Sequence, residues 1–414
     1  MKPNPRFTRR QMTAVVCFAL SFVLLFGLVE RLLFSDVFFS GTWTRLREEK
    51  TVPQVLILGN SHAFCSFVPE IINGAVGVDS AVLGASGQNA AGAVDSLEAA
   101  LRVGTPEIVV AELNVFLGDY DAMALYHKPS ALSNINGMPH LGQRIKSAWH
   151  ELGFESIPQG AFQLLRSDLM WARWNETTEI DYADDGTALL NWHATGVYDA
   201  EAAQQLAHEH LSRATPEAVD PRNERELRRM MEMARDHGVK VVLAKTPTIA
   251  SSQTATNRTA YLFHVAQEYG DTLLGARDFH LELGDMAFRV EDFYDNGHLS
   301  RTGAVKLSCA FSRWLAGLMN TRADFTRFFA YGGETVDEVG NGLWRYAMTA
   351  FGTEVEYRFV RGEEVLQDWS GCHSLELALP PQEASNLCVS MRQAANPDRV
   401  LTVAFMTANT CEIR

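Results

Sequence analysis

Apolar residues first gather in one uninterrupted run. Gln11 to Val29 reads QMTAVVCFALSFVLLFGLV, nineteen residues without a charge. At about 1.5 Å per residue such a helix reaches about 28 Å, close to the hydrocarbon thickness of a bilayer. Beyond it the pattern changes to short apolar runs alternating with amphipathic stretches. VLIL at 55–58, VDSAVLG at 78–84 and IVVAEL at 108–113 predict strands, the second on a weaker pattern. Between them, Gln88 to Arg102 sets Ala91, Val94, Leu97, Ala100 and Leu101 at helical spacing, with Gly104 as a stop. VKVVLAKTP at 239–247 and LLGARDF at 273–279 predict further strands. A charged helix over Glu224–His237 ends at Gly238, and Ala304–Asn320 forms a long amphipathic helix. The stretch 116–220 is less regular, with LGQRIKSAWHEL and AEAAQQLAHEHL as its helices. Strands alternating with helices imply an α/β fold, a parallel sheet covered on both faces.

After about Arg327 the helical period fades. TEVEYRFV, HSLELAL, NLCVSM and RVLTVAF are strand-like runs separated by turn residues. The chain therefore divides into a cytoplasmic stub and transmembrane helix over 1–35, an α/β domain over 36–325, and a small all-β, sandwich-like module over 326–414.

Charge and flanking residues fix the expected orientation. The first ten residues carry Lys2, Arg6, Arg9 and Arg10 and no acid, which keeps the amino end in the cytoplasm. No A-x-A-like cleavage site follows the apolar run, so it reads as an anchor rather than a removed signal. No later segment is apolar enough to cross back. Everything after about Ser40 is expected outside the cytoplasm, in the periplasm of a bacterial inner-membrane protein. The 36 basic and 50 acidic residues leave a net charge of −14 over 414 residues, which argues against nucleic acid as a partner. Six cysteines are too few for a disulfide scaffold. Cys372, Cys388 and Cys411 fall together in the β module, where one disulfide would leave one thiol over.

Two short segments carry candidate chemistry. In LILGNSHAF, residues 56–64, a strand runs into Gly59-Asn60-Ser61. That puts Ser61 at the strand's carboxyl end, the edge where open parallel sheets bind ligands. In DFYDNGHLSRTGAVKL, residues 292–307, Asp295 and His298 stand three apart on a turn before a helix. This spacing lets the carboxylate orient one imidazole nitrogen while the other faces outward, as a general base requires. Each segment alone is an ordinary turn; their joint occurrence points to nucleophilic catalysis. Other polar residues carry less. His62 is expected to pack or face solvent. His208 and His210 point to different helix faces, and His127 and His140 lack ligand spacing, so no metal or other cofactor is implied. Trp149, Trp171, Trp174 and Trp192 could line a sugar cleft, but core packing is the expectation.

With these residues in view, the sequence resembles the SGNH/GDSL hydrolase superfamily, which sets its serine after the first strand and Asp-x-x-His before the last helix. Two intermediate marks of that family are a glycine after the second strand and an asparagine after the third. LGASGQN at 83–89 offers Gly84 or Gly87, the latter preferred, and AELNVF at 111–116 offers Asn114. The resemblance spans roughly residues 53–320. It implies Ser61 as nucleophile, His298 as base and Asp295 as orienting carboxylate. It also implies an oxyanion hole from the Ser61 and Gly87 (or Gly84) amides and the Asn114 side chain. Two positions depart from the family: Asn60 replaces the usual Asp before the serine, and Glu112 replaces a glycine two before the asparagine. The anchor, the early G-x-S and the late D-x-x-H resemble the extracytoplasmic acyltransferase branch, which includes the D-alanyl transfer protein and polysaccharide O-acetyltransferases. The resemblance implies O-acetylation of a cell-surface or secreted polysaccharide, with a multispanning membrane O-acyltransferase supplying the acyl group. An SGNH esterase or glycan deacetylase using water, and a non-catalytic glycan-binding assembly protein, are the rival expectations. The β module would suit carbohydrate binding or partner docking.

Overall fold

The computed structural model describes residues 8–34, 41–121, 126–166, 214–249, 252–282, 288, 292–325, 330–351, 355–384, 386–394 and 396–404. Five strands form the central sheet: β1 (Val55–Gly59), β2 (Ser80–Gly84), β3 (Ile108–Glu112), β4 (Lys240–Lys245) and β5 (Leu273–Asp278). Their order is β2-β1-β3-β4-β5, and every neighbouring pair is parallel. All five residues of β1 are buried, as are all five of β3. A strand covered on both faces needs such a continuous apolar run, because successive side chains point to opposite sides. Leu56, Leu58, Val109, Ala111, Val241 and Leu243 enter one core, while Val55, Ile57, Ile108, Val110, Val242 and Ala244 enter the other.

Helices fill both layers. The first core takes α4 (Ala90–Leu101) and α8 (Pro221–His237); the second takes α2 (Ser61–Phe64), α3 (Pro69–Val76) and α10 (Arg301–Leu318). Between them in sequence lie α5 (Asn114–Leu117), α6 (Lys128–Gly137), α7 (Leu141–Leu152) and α9 (Gln253–Gln267). Helix α8 shows how locally these elements are specified. Asp220 caps its first turn through the Arg222 amide, Pro221 opens it, and Gly238 ends it at φ +70°. Because the order reverses at β1, the crevice at the carboxyl ends of β1 and β3 is the topological switch point, where open α/β sheets bind ligands.

Helix α1 runs Arg9–Phe34 over the segment expected to anchor the chain. Among the described residues no helix is long and apolar enough to cross a membrane. Side chains within the apolar run, among them Ala19, Leu20 and Val23, lie outside that description. Phe26 of α1 meets Phe162 edge-on at 5.1 Å between ring centroids.

The C-terminal part forms two antiparallel sheets. One has the order β10-β7-β6 and the other β12-β11-β8-β9. Their strands are β6 (Ala330–Gly340), β7 (Leu343–Phe351), β8 (Val355–Arg361), β9 (Glu364–Ser370), β10 (Ser374–Leu377), β11 (Leu387–Gln393) and β12 (Asn396–Ala404). Tyr346 and Met348 of β7 share one core with Tyr357 and Phe359 of β8 and with Leu387, Val389 and Met391 of β11. The β6–β7 hairpin and β9 go beyond the runs read from the sequence. Its turn is Asn341-Gly342, with φ of +56° and +75°, the positive-φ pair that a two-residue hairpin loop needs.

Three expectations fare differently here. Trp149 is 65% exposed rather than packed in the core, whereas Trp171, Trp174, Trp192, His208 and His210 lie outside the described residues. Cys372 and Cys388 are free thiols, and Cys411 lies outside the described residues. The helix read over 200–211 lies there too.

Candidate active site

Strand β1 delivers Ser61, the expected nucleophile. A Cβ at Gly59 would lie 2.6 Å from the Ala63 Cβ and 2.8 Å from the Glu112 Cβ, so the turn closes only over glycine. Asn60 follows as the N-cap of α2, its side-chain oxygen accepting the His62 amide at 3.0 Å. An Asp would cap in the same way, so the departure at Asn60 leaves the turn intact and removes only a charge. Ser61 is then the first residue of α2, and its amide has no acceptor among the described residues.

His298, the expected base, arrives from the far end of the α/β unit. Phe293 and Leu299 bridge as an isolated antiparallel pair, and the Tyr294 amide donates to the His298 carbonyl at 2.9 Å. This ties residues 293–299 into a closed turn, which Leu299 and Phe293 bury in the second core. Helix α10 holds the turn in place. The Ser300 amide donates to the Asp292 carbonyl at 2.9 Å, and Lys306 pairs with the Asp292 carboxylate at 2.6 Å. Ser308 of α10 accepts the Val68 amide at 2.9 Å and donates to the Ser66 carbonyl, which docks the helix against the segment just after Ser61.

These two deliveries bring the sequence-predicted residues together. His298 Nε2 lies 2.7 Å from Ser61 Oγ. His298 Nδ1 lies 3.0 and 2.9 Å from the two Asp295 oxygens. Asp295 Oδ1 also accepts the Gly297 and His298 amides, each at 2.7 Å. Burial by itself would raise the Asp295 carboxyl; the His298 bond and charge and the two amides prevail and hold it at about 2. Asp295 is therefore anionic throughout the neutral range. Its partner Nδ1 carries the proton, which leaves Nε2 to accept from the serine hydroxyl.

His62 does more than face solvent. Its ring stacks on His298, with centroids 5.0 Å apart and planes at 20°. Burial, and then the nearby charges of His298 and Lys245, push the His62 imidazole down to about 3, so it stays neutral. A neutral ring on the face of the base buttresses it without competing for its proton.

The residues expected to bind an oxyanion are at the same sheet edge. Gly84 is the last residue of β2 and pairs with Gly59; a Cβ there would meet the Gly59 carbonyl at 2.4 Å, so its smallness serves strand packing. Gly87 has φ +62° and lies under the His127 ring, and its amide donates to no acceptor among the described residues. Asn114 opens α5 at the end of β3, where its carboxamide nitrogen donates to Glu112 Oε1 at 2.6 Å and to Thr246 Oγ1 at 3.2 Å. Glu112 is fully buried. Burial pushes its carboxyl up to about 7 although Thr246 and Asn114 donate to it.

Thr246 and Lys245 are what sequence reasoning missed, whereas His62 packs, one of the two outcomes expected for it. Thr246 had a signal, because it is the first residue after β4 and so stands at the ligand-binding edge. Lys245 is buried 3.9 Å from Asp278, and burial lowers its ammonium. Among the described residues no group of three or more His, Cys, Asp or Glu side chains could hold a metal ion. No protein-family model matches the chain, and no curated protein or solved structure matches it either.

Proposed function

We propose that this chain is a membrane-anchored, extracytoplasmic serine acyltransferase of SGNH type that O-acetylates a cell-surface or secreted polysaccharide. The observation that carries the reading is the hydrogen-bonded series Ser61–His298–Asp295 at the carboxyl edge of a parallel sheet. In the first half-reaction His298 Nε2 takes the Ser61 proton as Oγ attacks the acyl carbonyl. The resulting oxyanion is stabilised by the Ser61 and Gly87 amides and by Asn114. Collapse expels the donor's leaving group, which takes the proton from His298, and leaves Ser61 acylated. In the second half-reaction a sugar hydroxyl gives its proton to His298 and attacks the ester. The acyl group passes to the sugar and the proton returns to Ser61.

Both departures from the family pattern support a working site over a decayed one. Asn60 caps the nucleophile turn, and Glu112 is bonded to the asparagine. The charge-free run within α1, with basic residues before it, supports the anchor. A multispanning membrane O-acyltransferase as acyl supplier, and the two C-terminal sheets as a glycan-binding or docking module, belong to this reading.

The purified segment after the anchor is the material for the test, beside Ser61→Ala. A fluorophosphonate probe should label the intact protein and not the variant. An activated acetyl ester with a panel of oligosaccharides should then give acetylated sugar. No labelling of the intact protein rejects the enzyme. Labelling with acetate release but no acetylated sugar across the panel makes it a hydrolase.

A further inference from the structure

Glu112 stands where the family pattern calls for glycine, and its surroundings are specific. Four donors converge on its carboxylate. Oε2 accepts the Asn114 amide at 3.0 Å. Oε1 accepts the Asn114 carboxamide at 2.6 Å, the Thr246 hydroxyl at 3.0 Å and the Thr246 amide at 3.3 Å. An ionised carboxylate only accepts; three of these donors crowd Oε1 and one reaches Oε2. The side chain has room only because Gly59 beside it has none.

The consequence falls on Asn114. A carboxamide has a donor end and an acceptor end of nearly the same shape. Above about pH 7, the value to which burial raises it, Glu112 is ionised, and only the nitrogen can then face it at 2.6 Å; the oxygen there would set two acceptors against each other. With one N–H fixed on Glu112, the planar group fixes the direction of the other. Seen from that nitrogen, Glu112 Oε1 and Thr246 Oγ1 lie only about 60° apart, half the roughly 120° between the two N–H bonds of a planar amide. The longer 3.2 Å contact to Thr246 therefore falls on the same side as the N–H held by Glu112 and leaves the other N–H to be offered elsewhere.

We propose that Glu112 is a positioning residue: it fixes the donor end and plane of the Asn114 carboxamide, so that the N–H not held by Glu112 is the one handed to the oxyanion. The assignment rests on the acyl-transfer reading of the site. Thr246 serves as one of the donors that keep Glu112 in place and as a longer, secondary contact of the same Asn114 nitrogen. Besides these donors, the charged group coupled to Glu112 is Lys245 on β4, whose other charged neighbour is Asp278 at the end of β5. Lys245 also acts on His62 and His280, both of which it holds towards the neutral form.

The test is a double-mutant cycle on the full chain in detergent, read as kcat and KM on p-nitrophenyl acetate at a pH above the Glu112 value of about 7. Asn114→Ala should lower kcat by about 100-fold or more with KM little changed, the loss typical of one oxyanion donor. Glu112→Gln, which can present either end of its own amide to Asn114, should lower kcat by about 10-fold at similar KM. In the Asn114→Ala background the same change should cost less than about 2-fold, because residues acting through one contact are not additive. Glu112→Asp keeps an acceptor-only carboxylate at shorter reach. It should fall between wild type and Gln in kcat, and it replaces Gln if that variant does not fold. Full additivity of Glu112 and Asn114 changes, or unchanged kcat in both Gln and Asp variants, overturns the assignment alone. A wild type that neither turns over the ester nor labels with fluorophosphonate overturns the acyl-transfer reading and the assignment together.

Discussion

Replacing Asp295 by Asn separates orientation from architecture unusually cleanly in this site. Both backbone amides that Asp295 accepts, from Gly297 and His298, go to the same oxygen, Oδ1. An Asn can keep its carbonyl oxygen on those amides and put its NH2 where Oδ2 now lies, 2.9 Å from His298 Nδ1. The turn is retained, but an NH2 donates where a carboxylate accepted. The NH2 opposes a proton on Nδ1, and the oxygen that stays 3.0 Å from Nδ1 already accepts two amides. The balance thus shifts to a proton on Nε2, pointing it at Ser61 Oγ across the 2.7 Å contact that should receive the serine proton. A wrong tautomer of this kind costs about 10⁴ in kcat, or about 5.5 kcal/mol at about 1.36 kcal/mol per tenfold. Stability should change by no more than about 1 kcal/mol, the scale of a single net hydrogen bond. The assay is p-nitrophenyl acetate turnover with urea unfolding on the same samples, beside Asp295→Ala, which removes the acceptor for both amides and should lose stability as well. A Asp295→Asn variant within about tenfold of wild-type kcat refutes the orienting role. A fall in stability as large as that of Asp295→Ala would make the carboxylate structural.

Three further outcomes follow from packing and titration. Gly303→Ala would set a Cβ 2.0 Å from the Asp292 carbonyl oxygen, a backbone atom that already accepts the Ser300 amide. It should cost at least the 1–3 kcal/mol typical of overpacking, roughly judged, and reduce ester turnover with it; unchanged urea midpoints would contradict the packing. Hydrogen bonds to Asp95 and Glu226 raise His150 from 6.5 to about 9. The folded chain thus binds more protons than the unfolded one across that window. The stabilisation is full below about pH 6.5 and is lost as pH rises through about 9. With the side chain 32% exposed, screening reduces this to about 1–2 kcal/mol. His150→Gln should flatten the urea midpoint between pH 6.5 and 9, and a slope equal to that of wild type would refute it. Burial raises the thiols of Cys65 and, to about 11, Cys309. In the native protein at pH 8 iodoacetamide should alkylate exposed Cys372 first, and fast modification of Cys65 would count against the packing around α2.

Much of the α/β unit is legible because its strands are buried on both faces. A run such as VLIL at 55–58 has no other economical use in a chain of this kind, and the glycines and caps at its ends are local signals. The closeness of Ser61 to His298 follows from the same logic, since both fall at the carboxyl edge of the sheet. Glu112 was visible only as a misfit. Its meaning depends on Thr246, which comes 134 residues later and from the neighbouring strand, and no local pattern encodes that meeting. Likewise, whether Gly84 or Gly87 offers a free amide is decided by the register of β2 against β1, which spacing does not reveal. The β6–β7 hairpin is a different kind of omission. Asn341-Gly342 between strand-forming residues is a strong local signal, but the flanking stretches also carry Gly333, Glu334, Asp337 and Glu338, which dilute the apolar alternation.

Ser61 and His298 are 237 positions apart in the chain, and that separation has a bearing on when the protein becomes reactive. Bringing such distant points together carries a loop-closure cost of about 5 kcal/mol by the logarithmic rule, recovered only when α10 seats against Ser66 and Val68. A growing chain exposes its serine long before the imidazole has been synthesised, and until that helix docks the serine is an ordinary alcohol. On the acyl-transfer reading, fragments, stalled chains and misfolded copies without the docked imidazole would be chemically silent, and reactivity would arrive as the last act of assembly, a safety catch released only by the finished fold.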